Sequence, residues 1–547
     1  MRGRMRTVLI AVAVLTVVAP VTPATAGERA QLSTVDLSAA EEDLPLDGVT
    51  ALRVRATLSN GRPADLGSAH ITVTSSVPGM VTADLRGGRG VARAGTLGPG
   101  PTTLTASVTL DGVTVTDELP MRVLPRPARP YRRAYAQTLT MKMFLADNQG
   151  RVALTFEQAL DVMRRVDNLT RGIPKIFYLV GWQYDGHDTG YPAWDVVNPK
   201  LKREQDASAL DSLRWLIAEA RTYHTTVSFH VNMLDASANS PLWQTYLDHD
   251  VIARNADGSL RTYVWGYPIS YTLEWRAGLT QRRIDSLFDM VDMRRIGTVH
   301  VDAFHQYIPG YGTEPISPYH GITTDQEIET QKKIIRYWRD RGVDVTSEFT
   351  YSYRKDPLLG LQPMAWHFRN VDQMVIPPAL HVGGKGGDPR FGTSMQGESI
   401  IRKDPAALPG FLDEFATTTL LWQHLNRLGR VSDTDGAVTF SDGTVSANID
   451  GRLLVQRDDV VLRDGSDLFV PANWARHKEI VAYSGAGYEA RTWVLPAQWR
   501  RVRQVDVYRI SQEGPEFVAR QPVDGSLTLS LPAGAAVSIV PAGTQLR

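Results

Sequence analysis

From residue 154 to 349 the chain alternates helical periodicity with short apolar runs, and this alternation constrains its fold more than any other feature. Leu154 to Leu169 carries apolar residues at 156, 159, 160, 163 and 166, the spacing of one helix face. Thr155 with Gln158 offers a capping box, and Gly172 supplies a stop. A buried strand is predicted over Ile173–Val180. Helices over Leu210–Tyr223 and Leu279–Ile296, and one capped by Thr324 with Glu327 and running to Arg341, are each followed by a strand: Thr225–Met233, Gly297–Phe304 and Val343–Phe349. Repeated strand–helix units of this kind build a parallel sheet. The region from about 133 to 430 therefore reads as a (β/α)8 TIM-type barrel with insertions, whose last strands are not legible.

The flanks read differently. Residues 31–124 hold Val-, Thr- and Leu-rich stretches at Ala51–Leu58, Ala69–Ser75, Thr102–Leu110 and Val113–Asp117. Asp111-Gly112 joins the last two as a two-residue hairpin, because that pair tolerates the positive φ angles of a type I′ turn. This region is expected to be an immunoglobulin-like β-sandwich. Three prolines in residues 125–130 predict a stiff linker over 125–132. From 431 to 547, Asp-Gly pairs at 435, 442, 450, 464 and 524 punctuate short strands, predicting a C-terminal β-sandwich. The whole is a multidomain α/β plus β architecture.

At 547 residues, about three domains are expected. Lysine plus arginine equals aspartate plus glutamate, 59 each, which gives no reason to expect nucleic acid or an anionic membrane as partner. With no cysteine, disulfides, zinc–thiolate sites and thiol nucleophiles are excluded. Arg2, Arg4 and Arg6, an apolar Val8–Val18 and Ala24-Thr25-Ala26 read as a signal peptide over 1–26, so a secreted, extracellular protein is expected. Nothing demands an oligomer, and a monomer is expected.

In such barrels chemistry sits at the carboxyl ends of the strands. Those ends deliver His187 and Asp188 in a Gly-flanked loop, then His230 and Asn232, then Asp302, then Glu348. Asp302 and Glu348 close consecutive strands, and neighbouring strands lie about 4.8 Å apart. Two carboxylates so placed can reach the separation of about 5–5.5 Å at which one attacks an anomeric carbon and the other serves as acid and base. Either residue alone reads more simply as a loop cap or an arginine partner; the pair favours catalysis. Glu398, in a Gly-rich segment, is the rival acid/base, and Asp235 a weaker rival nucleophile. His187, Asp188, His230 and Asn232 could converge on a metal, but no spacing signature supports one, and no metal or cofactor is expected. His230 reads equally well as a core histidine. Trp182, Trp194, Trp243 and Trp265 fall in predicted loops, where aromatic faces can stack on sugars, although packing is the commoner role of any one tryptophan.

These residues resemble the endo-α-N-acetylgalactosaminidases, glycoside hydrolase family 101. Gly186-His187-Asp188-Thr189-Gly190 is similar to that family's Gly-His-Asp-Ser-Gly loop. His230-Val231-Asn232, Val301-Asp302 and Ser347-Glu348 resemble its next strand motifs, in the same order. The resemblance covers roughly residues 140–350. It implies retaining hydrolysis of GalNAc α-linked to Ser or Thr, releasing Galβ1-3GalNAc, with Asp302 as nucleophile and Glu348 as acid/base. It further implies that His187, Asp188, His230 and Asn232 bind the sugar; Trp182 and Trp265 are placed at the substrate by their loop positions. This chain departs from the family in having only two flanking β-domains. Its tryptophan lid is not matched cleanly, with Tyr263–Tyr267 in a comparable place, and there is an insertion around Ile308–Gly321. Two other readings stay open at this point: a glycosidase of the same fold acting on another α-linked glycan, and a non-catalytic carbohydrate-binding protein.

Overall fold

The computed structural model describes residues 30–46, 48–95, 100–127, 131–302, 304, 315–350, 364–368, 374, 381–385, 388–391 and 408–546. The predicted leader, Glu398 and the first half of the insertion read around Ile308–Gly321 lie outside these residues.

Seven strands form one parallel sheet: β1 (Leu139–Phe144), β2 (Lys175–Val180), β3 (Thr225–Asn232), β4 (Thr298–Asp302), β5 (Asp344–Thr350), β6 (Met364–Phe368) and β7 (His381–Lys385). Their spatial order follows the sequence, and β7 returns to lie against β1. Every residue of β2 and β3 but one is buried, which explains their near-continuous apolar runs. No eighth strand occurs among the described residues.

Helices cover the sheet between strands: α1 (Phe156–Leu169), α2 (Ala209–Glu219), α3 (Leu279–Met290) and α4 (Thr324–Asp340). The Thr155/Gln158 capping box on α1 is present, with bonds of 2.9 and 3.3 Å. The predicted third helix breaks at Val291-Asp292, and Asp292 caps a separate short turn, Met293–Ile296. The cap of α4 is Thr323 with Gln326, one residue before the predicted pair. Glu327 is instead buried, accepting from Ser270 and Thr272. No helix of the described residues is long and apolar enough to cross a membrane.

The N-terminal region forms two four-stranded sheets whose facing sides bury Leu52, Val54, Leu104, Ala106 and Val108. The Asp111-Gly112 turn closes the pair Leu110↔Val113 with φ of 48° and 80°. The strand Val113–Pro127 continues into the proline run, where Pro127 pairs with Leu46, so the predicted linker begins as sheet.

The C-terminal region is a ten-stranded antiparallel sheet from Arg430 to Pro541, faced by a two-stranded one, Tyr488–Val494 with Ser526–Leu531. Trp493, Leu527 and Leu529 pack between them on Phe469, Ile480 and Ile539. The sheet is joined to α1 and the turn after it. Arg171 and Glu479, both buried, pair at 2.7 Å. Ser538 also donates to Glu479, the Trp474 indole donates to the Arg171 carbonyl, and Asn168 donates to the Gln512 carbonyl.

Candidate active site

Four strand ends and one loop make the site. β3 and β4 run in register, with His230↔His300 and Asn232↔Asp302. Between β4 and β5 the pairing runs to Val301↔Ser347, the residues just before Asp302 and Glu348.

Asp302 is partly exposed, and two buried groups face its carboxylate. The Lys142 ammonium, from β1, lies 3.9 Å from Oδ1, and Nε2 of His230 lies 3.8 Å from Oδ2. Burial, followed by the charge of Lys142, holds the His230 imidazole well below its usual pKa, so it is neutral at physiological pH. The pair His230–Asp302 is thus a neutral ring beside a carboxylate, with Lys142 the cation. A ladder of rings lines the site: Phe144 to His187 at 5.7 Å, His187 to His230 and His230 to His300 at 5.6 Å each, and His300 to Tyr178 at 5.3 Å. Nδ1 of His300 is anchored on Thr346 at 2.9 Å.

The loop after β2 hugs the chain leaving β1. The His187 amide donates to the Ala146 carbonyl at 3.0 Å. Gly186 sits at φ 141°, where a Cβ would lie 2.0 Å from the Asp147 carbonyl oxygen, so only glycine fits. That turn presents His187 and Asp188 side by side, 3.3 Å apart, toward His230. Asn232 is spoken for locally. Its Oδ1 accepts the amides of Leu234 and Asp235, and its Nδ2 donates to Asp235 at 2.6 Å.

His187, Asp188 and His230 bring ligand atoms within 4.8 Å of one another, as do His230, His300 and Asp302. Such sets could hold a divalent ion in isolation. Here the Lys142 charge acts on His230 and faces Asp302, opposing a second cation, and Asn232 has no oxygen to spare.

The tryptophans divide. Trp182 is fully buried against Phe229, its indole donating to the His230 carbonyl at 3.1 Å. It braces β3, and the expectation that it stacks on substrate is corrected: the chain folds back over it. Trp194 is likewise buried, its indole bonded to the Arg283 carbonyl. Trp243 packs on Tyr267. Trp265 stands out at 54% exposure, on a hairpin Tyr263–Gly266 held to β3's exit by pairing of Tyr267 with Ala236.

Sequence reasoning missed Lys142, His300 and Tyr191. A lone lysine inside the apolar run of β1 was the available signal, as was a histidine two residues before Asp302 on the same strand face.

The family model described as endo-alpha-N-acetylgalactosaminidase, glycoside hydrolase family 101, matches residues 132–358, so the resemblance read from the motifs holds over the segment that carries these groups. No curated protein matches the chain. Similar solved structures include the ligand-free alpha-N-acetylgalactosaminidase NagBb of Bifidobacterium bifidum, at 12% identity and TM-score 0.43, covering 73% of this chain and 73% of that one. They also include its GalNAc complex, at 14%, 0.42, 72% and 71%. A putative alpha-galactosidase from Bacteroides fragilis follows at 10% and 0.30, covering 94% and 99%.

Proposed function

We propose that this chain, a glycoside hydrolase by its family match, is a secreted retaining enzyme that releases Galβ1-3GalNAc from α-linked Ser or Thr O-glycans. The observation that carries the reading is Asp302, fronted by the buried Lys142 ammonium at 3.9 Å, with the next strand paired to its own just before Glu348, inside the matched segment. Asp302 attacks the anomeric carbon as the bond to the Ser or Thr oxygen breaks. Glu348 delivers its proton to that leaving oxygen, then takes one from the water that frees the sugar. The ammonium facing Asp302 suits a nucleophile that must be charged. His187, Asp188, His230 and Asn232 form the sugar-binding wall, with neutral His230 able to donate from one nitrogen and accept at the other. Trp265 offers an aromatic face at the rim. The finer architecture belongs to the same proposal: a closed (β/α)8 barrel, an immunoglobulin-like N-terminal sandwich, a cleaved leader and a monomer that binds neither nucleic acid nor membrane.

The test is hydrolysis of aryl α-glycosides of Galβ1-3GalNAc and of GalNAc, with the product anomer followed by NMR. Release of the intact disaccharide as its α-anomer is expected. Release of the β-anomer would overturn retention. Failure on both substrates would move the assignment to another α-linked glycan or to a binding protein.

Glu348→Gln should separate leaving groups. With the natural glycopeptide the loss is expected within the range of about 10²–10⁴-fold that general acid catalysis contributes. With an activated aryl leaving group, which needs little protonation, the first-step loss should be far smaller. Equal losses on both substrates would remove Glu348 from the role of acid.

A further inference from the structure

The N-terminal region carries a face that the reaction does not use. Residues 30–127 contain eight arginines, no lysine and ten acids. The sheet built from Leu32–Ala39, Val49–Leu58, Arg89–Ala94 and Val81–Arg86 gathers five of those arginines on its outward side. Along Val49–Leu58, exposed Arg53 and Arg55 alternate with buried Leu52, Val54 and Ala56, so both point away from the core. The register then lines up three guanidinium bearers on adjacent strands: Arg53 pairs with Arg89, and Arg89 with Arg86. Arg55 and Arg93 flank that row. The described acids on the same side are Asp36, opposite Arg55, and Asp84, opposite Val91. Among the described residues, Arg53, Arg55, Arg86 and Arg89 enter no ion pair.

Like charges set opposite one another on neighbouring strands oppose pairing. The companion sheet shows that the fold does not require them. Its outward side presents Thr72, Ser107 and Thr116 in one row and Thr74, Thr105 and Glu118 in the next. Guanidinium groups meet carboxylates or sulfates in bidentate geometry. Neighbouring strands lie about 4.8 Å apart, so the arginine row spans about 10 Å. That reach exceeds a single anion and suits acidic groups repeated along or between sugar chains. Arg53, Arg55 and Arg89 also line an open concavity of about 360 Å³ with Ser38, Ala51 and Gly90, whose small side chains leave room for a sugar ring. The described outward residues include no aromatic ring on which a base could stack and no large apolar side chain to enter a membrane beyond Val49 and Val91.

We propose that this arginine face docks acidic O-glycan chains, bearing carboxylate or sulfate groups, on the same glycoprotein whose neutral disaccharides are hydrolysed. The inference rests on the O-glycan reading above and adds a second contact that holds the enzyme on its substrate between cleavages. Two modest contacts tethered in one chain bind a crowded polymer far more tightly than either alone.

Binding of the full-length protein to immobilised mucin, followed by biolayer interferometry, is compared with binding to mucin stripped of sialic acid and sulfate. Stripping is expected to weaken binding about tenfold or more, the effect of losing one charge-assisted hydrogen bond. Arg53→Ser with Arg89→Ser should weaken binding to intact mucin to a similar degree and leave binding to stripped mucin unchanged. Hydrolysis of the soluble aryl disaccharide should be unaltered in that variant, because neither residue belongs to the site. If the double variant does not fold, Val91→Glu sets an acid between Arg89 and Arg93 and is expected to weaken binding without removing an arginine. Thr72→Glu, on the companion sheet, should have no such effect. Equal binding to intact and stripped mucin, or full binding by the variants of the arginine face, overturns the inference alone. Tighter arginine-dependent binding to single-stranded DNA or to phosphatidylserine vesicles than to mucin gives the face another partner and overturns it as well. Acid-dependent binding without hydrolysis of the aryl disaccharide overturns the O-glycan reading and, with it, the assignment of the bound chains to substrate.

Discussion

Asp302→Asn is expected to lower turnover of a Galβ1-3GalNAc glycopeptide about 10⁴-fold or more, equivalent to about 5–6 kcal/mol of transition-state stabilisation. The amide keeps the shape of the side chain but cannot supply the anionic oxygen that forms the bond to the anomeric carbon. Lys142, 3.9 Å away, then faces a neutral group, so the variant loses the charge as well as the nucleophile. Binding should survive, because His187, Asp188, His230 and Asn232 are untouched. Steady-state kinetics together with product binding check both halves. A variant that retained more than about a tenth of the activity, a deficit under about 1.4 kcal/mol, would displace Asp302 from its role. An external anion such as azide gives a second readout in Asp302→Gly: the vacated nucleophile position of a retaining enzyme should let it attack from the same face, yielding a β-glycosyl azide.

Arg283→Met is expected to destabilise the parallel-sheet region by about 3–5 kcal/mol, the usual cost of stranding one member of a buried ion pair. Glu274 is fully buried, and its carboxylate takes the Arg283 guanidinium, the Tyr246 hydroxyl at 2.6 Å and the Thr280 hydroxyl at 2.9 Å. Arg283 also donates to the Met233 carbonyl at 2.9 Å and lies over the Trp194 ring at 4.8 Å. Truncation therefore leaves a buried charge unmatched and frees the exit of β3. At about 2–4 °C per kcal/mol for a domain of this size, the corresponding melting transition should fall by about 10 °C. Adding Glu274→Leu should recover part of the loss, since an apolar pair of similar volume removes the unmatched charge. A fall of less than about 1 kcal/mol on the same scale would mean that water reaches Glu274.

How much of this was legible depended on what each residue had to satisfy. Strands β2 to β5 were found within about two residues because parallel strands covered on both faces read as apolar runs. β1 escaped notice because Lys142 interrupts its run, and that interruption is the functional group. β6 and β7, with His367, Gly383, Gly384 and Lys385 among ten residues, lack any such run. The helix break at Val291-Asp292 was invisible because Met293 and Ile296 keep the apolar spacing going while Asp292 caps a new turn. At the site, the order of His187, Asp188, His230, Asn232 and Asp302 along the chain could be read, since each lies at or just past the end of a strand. Their neutralising partners could not. Burial of Trp182 and the ammonium opposite Asp302 arise between segments far apart in sequence, and no local pattern records them.

The Arg171–Glu479 link bears on how such chains are recombined. A parallel-sheet region cut free at residue 430 would keep a guanidinium seated for a carboxylate it no longer has, and a Trp474 site left empty beside it. Any foreign sheet grafted in its place would need an acid at the Glu479 position, a hydroxyl where Ser538 stands and a carbonyl to meet Asn168. The two regions are therefore expected to be inherited as one unit.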